Sequence, residues 1–363
     1  MKWSWRIGRI AGIDVYVHST FLLLLAWVAI ANYLENHRLV DAVYGLFFII
    51  TLFGIVVLHE LGHALTARQF GIRTRDITLL PIGGLARLER MPEDPRQELL
   101  VALAGPAVNV VLAGVLFAIL AFTSGVAAMN NAKLVGGSFL ASLVAVNVTL
   151  AVFNLLPAFP MDGGRVLRAI LAMRMDYVRA TQVAANIGQA LALMLGFLGL
   201  FSNPFLVFIA LFIWMGAAQE ASMVQMKAAL GGIPVQQVMI TNYQTLSPDD
   251  PLAHAVEQIL AGFQHDFPVV EADRVVGVLT RTDLFRALAE QGRDVPVRQV
   301  MQFEFETASP TEMLETVFAR LNGNPLLTIP VTRDGRLVGI MSQENIGEFL
   351  TIQSALNDKR RPT

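Results

Sequence analysis

Val56-Val57-Leu58-His59-Glu60-Leu61-Gly62-His63-Ala64-Leu65 sits at the end of an apolar run, and its reading decides how the chain is built. Residues 43–58, which lead into it, contain no Lys, Arg, Asp or Glu. Such a run crosses hydrocarbon as a helix, a task that takes about 20 residues. His59 and His63 stand four apart, so on a helix both imidazoles project from one face, one turn apart. Two neutral imidazoles suit Zn2+, which takes four N/O ligands and keeps one position open in catalytic sites. Glu60 projects beside them and can take a proton from a water at the metal. In a soluble helix the same residues also read as a polar pair at a helix end. Inside a membrane segment a carboxylate without a compensating partner is costly, and this favours a metal site.

The surroundings support membrane placement. The 363 residues are 54% hydrophobic and 15% charged, against about 25% charged in an average soluble domain. Residues 15–34, 99–132, 134–161 and 180–219 are also free of Lys, Arg, Asp and Glu. Together they predict a polytopic α-helical membrane protein with six transmembrane helices, near 18–34, 43–66, 99–123, 138–157, 184–201 and 204–219. Lys2, Arg6 and Arg9 precede the first apolar run, but no small-residue cleavage site follows. The segment 7–17 reads as turn-rich. Basic residues gather on one side of the membrane (Lys2, Arg6, Arg9, Arg68, Arg73, Arg75, Arg87, Arg90, Arg96, Arg165, Arg168, Arg174, Arg179, Lys227), leaving Arg38 and Lys133 on the other. The positive-inside rule then puts both termini in the cytoplasm of what reads as a prokaryotic cell membrane. Cysteine is absent, so a metal must use His, Asp or Glu. The net charge of −2 gives no sign of a nucleic-acid partner.

A third metal ligand is needed. Asp162 lies in Asn154-Leu155-Leu156-Pro157-Ala158-Phe159-Pro160-Met161-Asp162-Gly163-Gly164-Arg165, where two prolines break the helix and two glycines permit a sharp turn. Irregular backbone at depth is tolerated only where protein or a water-filled cavity surrounds it. Asp162 is therefore either the third ligand or a cap for a following helix at 166–173; two histidines lacking a third ligand favour the former.

The paired motifs, His59–His63 and Asn154–Arg165, resemble those of the site-2 protease family of intramembrane metalloproteases. Ala104-Gly105-Pro106-Ala107-Val108-Asn109 and Gly12-Ile13-Asp14-Val15-Tyr16-Val17-His18 are similar to that family too. The resemblance implies His59, His63 and Asp162 as zinc ligands and Glu60 as general base. It also implies that Asn154 holds the substrate backbone or a developing oxyanion; an interhelical hydrogen bond is the alternative. Asn109 reads as helix packing, with Gly105 allowing close approach, and His18 as interfacial. The substrate is expected to be a membrane-anchored protein whose transmembrane segment unwinds near the cytoplasmic face. Asp76-Ile77-Thr78-Leu79-Leu80 and Leu85-Ala86-Arg87-Leu88-Glu89 flank Pro81-Ile82-Gly83-Gly84, a β-hairpin signal. Its edge around Gly83, Gly84 and Leu85 binds an extended peptide by strand addition, or packs on the membrane surface.

From about residue 230 charges return at ordinary density, and the tail overlays itself at a shift of 62 residues. Pro234-Val235-Gln236-Gln237-Val238-Met239 matches Pro296-Val297-Arg298-Gln299-Val300-Met301, and Pro268-Val269 matches Pro330-Val331. The repeat resembles a tandem pair of CBS domains, an α/β module. The expected division is a membrane domain at 1–225, CBS repeats at 230–291 and 292–353, and a flexible tail at 354–363. Such pairs commonly bind adenine nucleotides and associate, which implies ATP, ADP or AMP as a ligand and a homodimer through the tail. Thr280 and Asp283 open a helix and would contact phosphate and ribose, or only cap that helix. The second repeat has Ser342 and Asn345 there and lacks the acid. Two other classes compete: a CBS-regulated transporter or channel, and a relative that binds membrane proteins without cutting them. A transporter would scatter polar groups along a pore, whereas a silent relative would have lost Glu60 or a ligand.

Overall fold

The computed structural model describes residues 3–81, 83–92, 94–124, 138–262, 264–323 and 328–358; Ile82, Lys133 and 359–363 thus lie outside the described residues. Two compact units divide the chain, Met1–Val224 and Gln225–Thr363.

The first unit is mostly helical: α1 (Ser19–Asn36), α2 (Leu39–Gln69), α3 (Pro95–Ser124), α4 (Phe139–Asn154), α5 (Asp162–Ala172), α6 (Tyr177–Phe201) and most of α7 (Phe205–Leu230), whose last residues fall in the second. Among the described residues, α2, α3, α6 and α7 are long and apolar enough to cross a membrane, and α1 and α4 are shorter apolar helices. The 16 residues of α4 span about 24 Å, short of a hydrocarbon core of about 30 Å. Its chain turns irregular at Leu155, just ahead of the two prolines. α2 is longer than the apolar run alone suggests, because neither Leu39–Ala42 nor Ala67–Gln69 holds a Gly or Pro to break the helix, and Asp41 suits its first turn.

The segment 7–17 is not a run of turns. It belongs to two strands, β1 (Ser4–Ile10) and β2 (Ile13–His18), joined by Ala11 and Gly12, both at positive φ. A two-residue turn with both φ positive matches the twist of an antiparallel pair. Ile13, Val15 and Val17 alternate onto one buried face. β2 pairs in parallel with β3 (Thr74–Leu80), and β3 pairs antiparallel with β4 (Gly83–Leu88), giving the order β1-β2-β3-β4. The apolar face of this sheet packs against Phe21 of α1 and Phe53, Val57, Leu61 and Ala64 of α2. Arg87 ties β4 to Asp76 of β3 through both carboxylate oxygens, which pushes its guanidinium above the usual arginine value.

The broken segment 155–161 is enclosed by small residues. Ala180, Ala184, Gly188 and Ala192 are buried at a spacing of four on α6, the pattern that lets backbones approach in membranes. A Cβ on Gly188 would lie 3.2 Å from Ala158, and one on Gly216 of α7 would lie 2.6 Å from Pro160. α5 is then fastened by Arg168, which is fully buried. It donates to Glu98 of α3 through Nε at 2.8 Å and to Glu220 of α7 at 2.5 Å, between the rings of Phe159 and Tyr177.

In the second unit, α8 (Leu252–Ala261), β5 (Phe267–Glu271), β6 (Arg274–Leu279) and α9 (Arg281–Gln291) form one repeat. α10 (Leu314–Gly323), β7 (Thr328–Arg333), β8 (Arg336–Ser342) and α11 (Gln343–Asp358) form the other. Their strands make one sheet in the order β5-β6-β8-β7. The repeat holds at contact level: Ile240 bridges Ile340 as Val278 bridges Gln302, and Leu246 bridges Val269 as Ala308 bridges Val331. α11 continues to Asp358, so 354–358 is helical rather than a loose tail.

Replacing Arg168 with Met should leave Glu98 and Glu220 as buried or half-buried carboxylates without their cation. Unfolding in detergent should show a loss of about 3–5 kcal/mol; an unchanged transition would show that the clamp contributes nothing.

Candidate metal centre and active site

His59 and His63 lie on successive turns of α2, ten and six residues from its end at Gln69. Asp162 is the first residue of α5, whose N-cap is Met161 with no side-chain cap bond. The Asp162 carboxylate does not cap its helix. It turns to the histidines, with Oδ2 at 3.2 Å from His59 Nε2 and 3.1 Å from His63 Nε2. The two Nε2 atoms are 3.1 Å apart. Among the described residues these three are the group of His, Asp or Glu side chains that converges on a point, and all three are buried.

The protonation of this cluster follows from its outer partners. His63 Nδ1 lies 2.7 Å from the Val101 carbonyl, which only accepts, so Nδ1 carries the proton. For His59 the chain of reasoning is longer. The Leu143 carbonyl receives Asn147 Nδ2 at 2.9 Å, so Asn147 turns Oδ1 toward Asn109. Asn109 then donates Nδ2 to it at 3.1 Å and turns its own Oδ1 to His59 Nδ1, 2.5 Å away. In their neutral tautomers both imidazoles therefore hold the proton on Nδ1 and turn Nε2 to the carboxylate oxygen, the orientation that metal ligation requires. Three such donor atoms at 3.1–3.2 Å repel each other unless a proton or a metal ion sits among them. Tetrahedral zinc with bonds of about 2.0–2.1 Å sets its donors about 3.3 Å apart, which these residues fit.

Close helix approach makes the cluster possible. A Cβ on Gly105 of α3 would lie 2.6 Å from His59 Nε2 and would also strike His63; one on Gly62 of α2 would lie 2.8 Å from the Ala104 carbonyl oxygen. Pro106, also in α3, removes a ladder hydrogen bond in this stretch. A Cβ on Gly164 would lie 2.6 Å from Phe159 N, so this glycine lets the first turn of α5 nest against the broken segment.

Glu60 is half-buried and points at the sheet. Its Oε2 accepts the Ala86 N–H of β4 at 3.2 Å, and a Cβ on Gly84 would lie 2.8 Å from its Cγ. The outer edge of β4 therefore lies beside Glu60. Gly83 and Gly84 open that strand; Leu85 pairs with Thr78 and so points from the other face of the sheet. Asn154 is the half-buried last residue of α4, and its side chain makes no hydrogen bond among the described residues. His18 caps α1 by accepting from Thr20 N.

The expectation that Asn109 serves only packing is corrected here, since it orients His59. Asn147 and Val101 do not stand out in the sequence as site residues, and Arg168 reads there only as one of the basic residues on one side of the membrane. A fully buried Asn inside an apolar helix carries its own warning, because it must find a partner there.

In the second unit, Thr280 is the N-cap of α9 and accepts from Asp283 N at 3.1 Å. Asp283 Oδ2 accepts from Thr280 Oγ1 and from Gln302 Nε2, each at 2.7 Å. Both residues thus meet, and both are engaged within the chain. Ser342 and Asn345 pair in the same way at 2.6 Å.

Residues 47–136 and 126–195 match the profile of Peptidase family M50, and residues 235–290 and 297–350 match the CBS domain. A zinc metalloprotease of Methanocaldococcus jannaschii is 32% identical over 97% of this chain and 97% of its own length. A solved structure of a site-2 protease from Methanocaldococcus jannaschii is 40% identical, covers 60% of this chain and 95% of that one, and gives a TM-score of 0.45. A CBS domain-containing protein of Bacillus subtilis is 30% identical over 32% of this chain and 92% of its own length. The chain belongs to Peptidase family M50, the integral membrane zinc metalloproteases of the site-2 protease type, and carries a C-terminal pair of CBS domains.

Proposed function

We propose that this chain cuts a membrane-anchored protein within its transmembrane segment, close to the cytoplasmic face. The observation that carries the reading is the placement of Glu60, which follows His59 on α2 and touches the β4 edge through Ala86 N–H at 3.2 Å. His59, His63 and Asp162 are the residues that would hold zinc. When bound, zinc polarises the scissile carbonyl and makes a water acidic enough to attack near neutral pH. Glu60 takes the proton that the water loses onto a carboxylate oxygen and delivers it to the departing amine.

A helix hides its carbonyls, so the substrate must be extended when cut. A strand added along Gly83, Gly84 and Leu85 would run past Glu60, with main-chain hydrogen bonds supplying affinity. Asn154 is assigned to the substrate backbone or the oxyanion, consistent with its uncommitted amide at the end of α4. Ionisable groups within the helices gather in the His–Asp cluster and the Arg168 clamp rather than along a pore, which favours a protease over a CBS-regulated channel.

We further propose six membrane crossings, counting α1 and counting α4 together with the broken apolar segment that follows it, with both termini and the CBS pair in the cytoplasm of a prokaryotic cell. The membrane domain is assigned to 1–225 and the CBS repeats to 230–291 and 292–353. The pair is assigned an adenine nucleotide (ATP, ADP or AMP) at Thr280 and Asp283 and a role in homodimer formation. Such a ligand would have to replace Gln302 at the Asp283 carboxylate.

Glu60→Gln should abolish cleavage of a single-pass membrane protein by the purified enzyme while zinc content stays the same; cleavage at the wild-type rate would remove Glu60 from the reaction. Asn109→Ala should weaken zinc binding by about 10–100-fold in chelator competition, as loss of an imidazole's outer partner does. Unaltered affinity would return Asn109 to packing alone. Calorimetry of the full chain with ATP and with AMP should show binding that Asp283→Ala removes; no heat from the unsubstituted chain would discard the nucleotide assignment.

A further inference from the structure

β1 is the outer strand of the sheet opposite β4, and no strand covers its far side among the described residues. Its register sorts its side chains. Trp5 faces Val17 and Ile10 faces Ile13, so both share the sheet face that packs against α1 and α2. Trp3 stands two residues before Trp5, and its carbonyl accepts Ser19 N–H at 2.9 Å, which continues the pairing. Arg6 faces Tyr16 and Arg9 faces Asp14, on the opposite face, where both arginines reach Asp14 at 2.9 and 3.8 Å. β1, with Trp3 just before it, is therefore amphipathic, with two indoles on one side and two guanidiniums on the other.

The apolar side is uncovered. Trp3 is 70% exposed, Trp5 55% and Ile10 45%, although their face is the one that forms the core one strand away. That core face packs against α1 through Phe21, and α1 also carries Leu23 and Trp27, which are 70% and 66% exposed. In an integral membrane protein such helix surfaces meet lipid. Indoles gather at the level of lipid headgroups, where an apolar ring and a polar N–H are both satisfied, and arginines face anionic headgroups.

We infer that the apolar face of β1, through Trp3, Trp5 and Ile10, docks into the headgroup–acyl boundary of the bilayer and anchors the sheet at a fixed depth. One edge of the sheet then rests in lipid while the other, β4, stands beside Glu60. The strand that presents substrate, on the function proposed above, is thereby held level with the metal cluster. Docking itself does not depend on that reading, and it is measured without substrate or turnover.

The chain has no cysteine, so single spin labels need no other change. Trp3→Cys, Trp5→Cys, Arg6→Cys and Arg9→Cys would each be made in the full chain, nitroxide-labelled and reconstituted in phosphatidylcholine–phosphatidylglycerol vesicles. Collision rates with oxygen, which concentrates in lipid, and with a water-soluble nickel chelate are then compared. The expected result is an alternation: oxygen exceeds nickel at positions 3 and 5, and nickel exceeds oxygen at 6 and 9. Nickel dominance at all four positions would put the strand in water, and low access to both reagents at 3 and 5 would mean protein covers it; either overturns the inference. As a check free of labels, a chain keeping only Trp5 (Trp3→Phe, Trp27→Phe, Trp214→Phe) should be quenched by lipids brominated near the glycerol end and spared by aqueous iodide. The reverse pattern would also overturn it.

Discussion

Three lone-pair donors held 3.1–3.2 Å apart inside a helical membrane protein impose the constraint on which the rest depends. Without a proton or a metal ion among them, His59 Nε2, His63 Nε2 and Asp162 Oδ2 repel one another in a medium that screens poorly. With one, they attract it strongly, provided that nothing else competes for the lone pairs. The fold removes the competitors. The Val101 carbonyl and the Asn147–Asn109 pair each occupy an Nδ1 proton, so each imidazole keeps its Nε2 turned inward, where a metal ion can take it. Each outer partner comes from a helix other than α2, so the tautomer is set by tertiary packing.

That packing has a steric origin. Gly105 passes directly beneath the two imidazoles, and Gly62 meets the α3 backbone, so α2 and α3 approach at positions that admit no side chain. Asp162 reaches the same point from α5 because the chain breaks at 155–161 and restarts at once. The break is tolerated because α6 and α7 enclose it with Ala and Gly. Arg168 then fixes α5 to α3 and α7 from within. The cost of desolvating that arginine is offset by two carboxylates, and the arrangement is stiff because both carboxylates share one cation.

Several of these features are legible in the residues alone. The four-residue spacing of His59 and His63 needs only helix geometry. The prolines and glycines around Asp162 announce an irregular turn at a place where one is costly. The 62-residue repeat of the tail declares its pseudo-symmetric sheet. What escaped reading depends on contacts between distant segments. Ile13, Val15 and Val17 alternate as a strand does, yet β2 is completed by β3, about sixty residues on, and the glycines at 8 and 12 suggest turns instead. Asn109 looks like any polar residue on a packed helix until the α2–α3 crossing sets it against His59. Arg168 looks like an interfacial charge until Glu98 and Glu220 arrive from two other helices. The 16 residues of α4 fall short because its apolar run extends into the broken segment.

Zinc K-edge absorption of the purified protein tests the central claim most directly, because it reports which atoms surround the metal. The account predicts one zinc per chain with two imidazole nitrogens and oxygen donors at about 2.0–2.1 Å, and loss of one imidazole's scattering in His63→Ala. A spectrum with a different number of imidazoles, or zinc bound unchanged in both His63→Ala and Asp162→Ala, would contradict it.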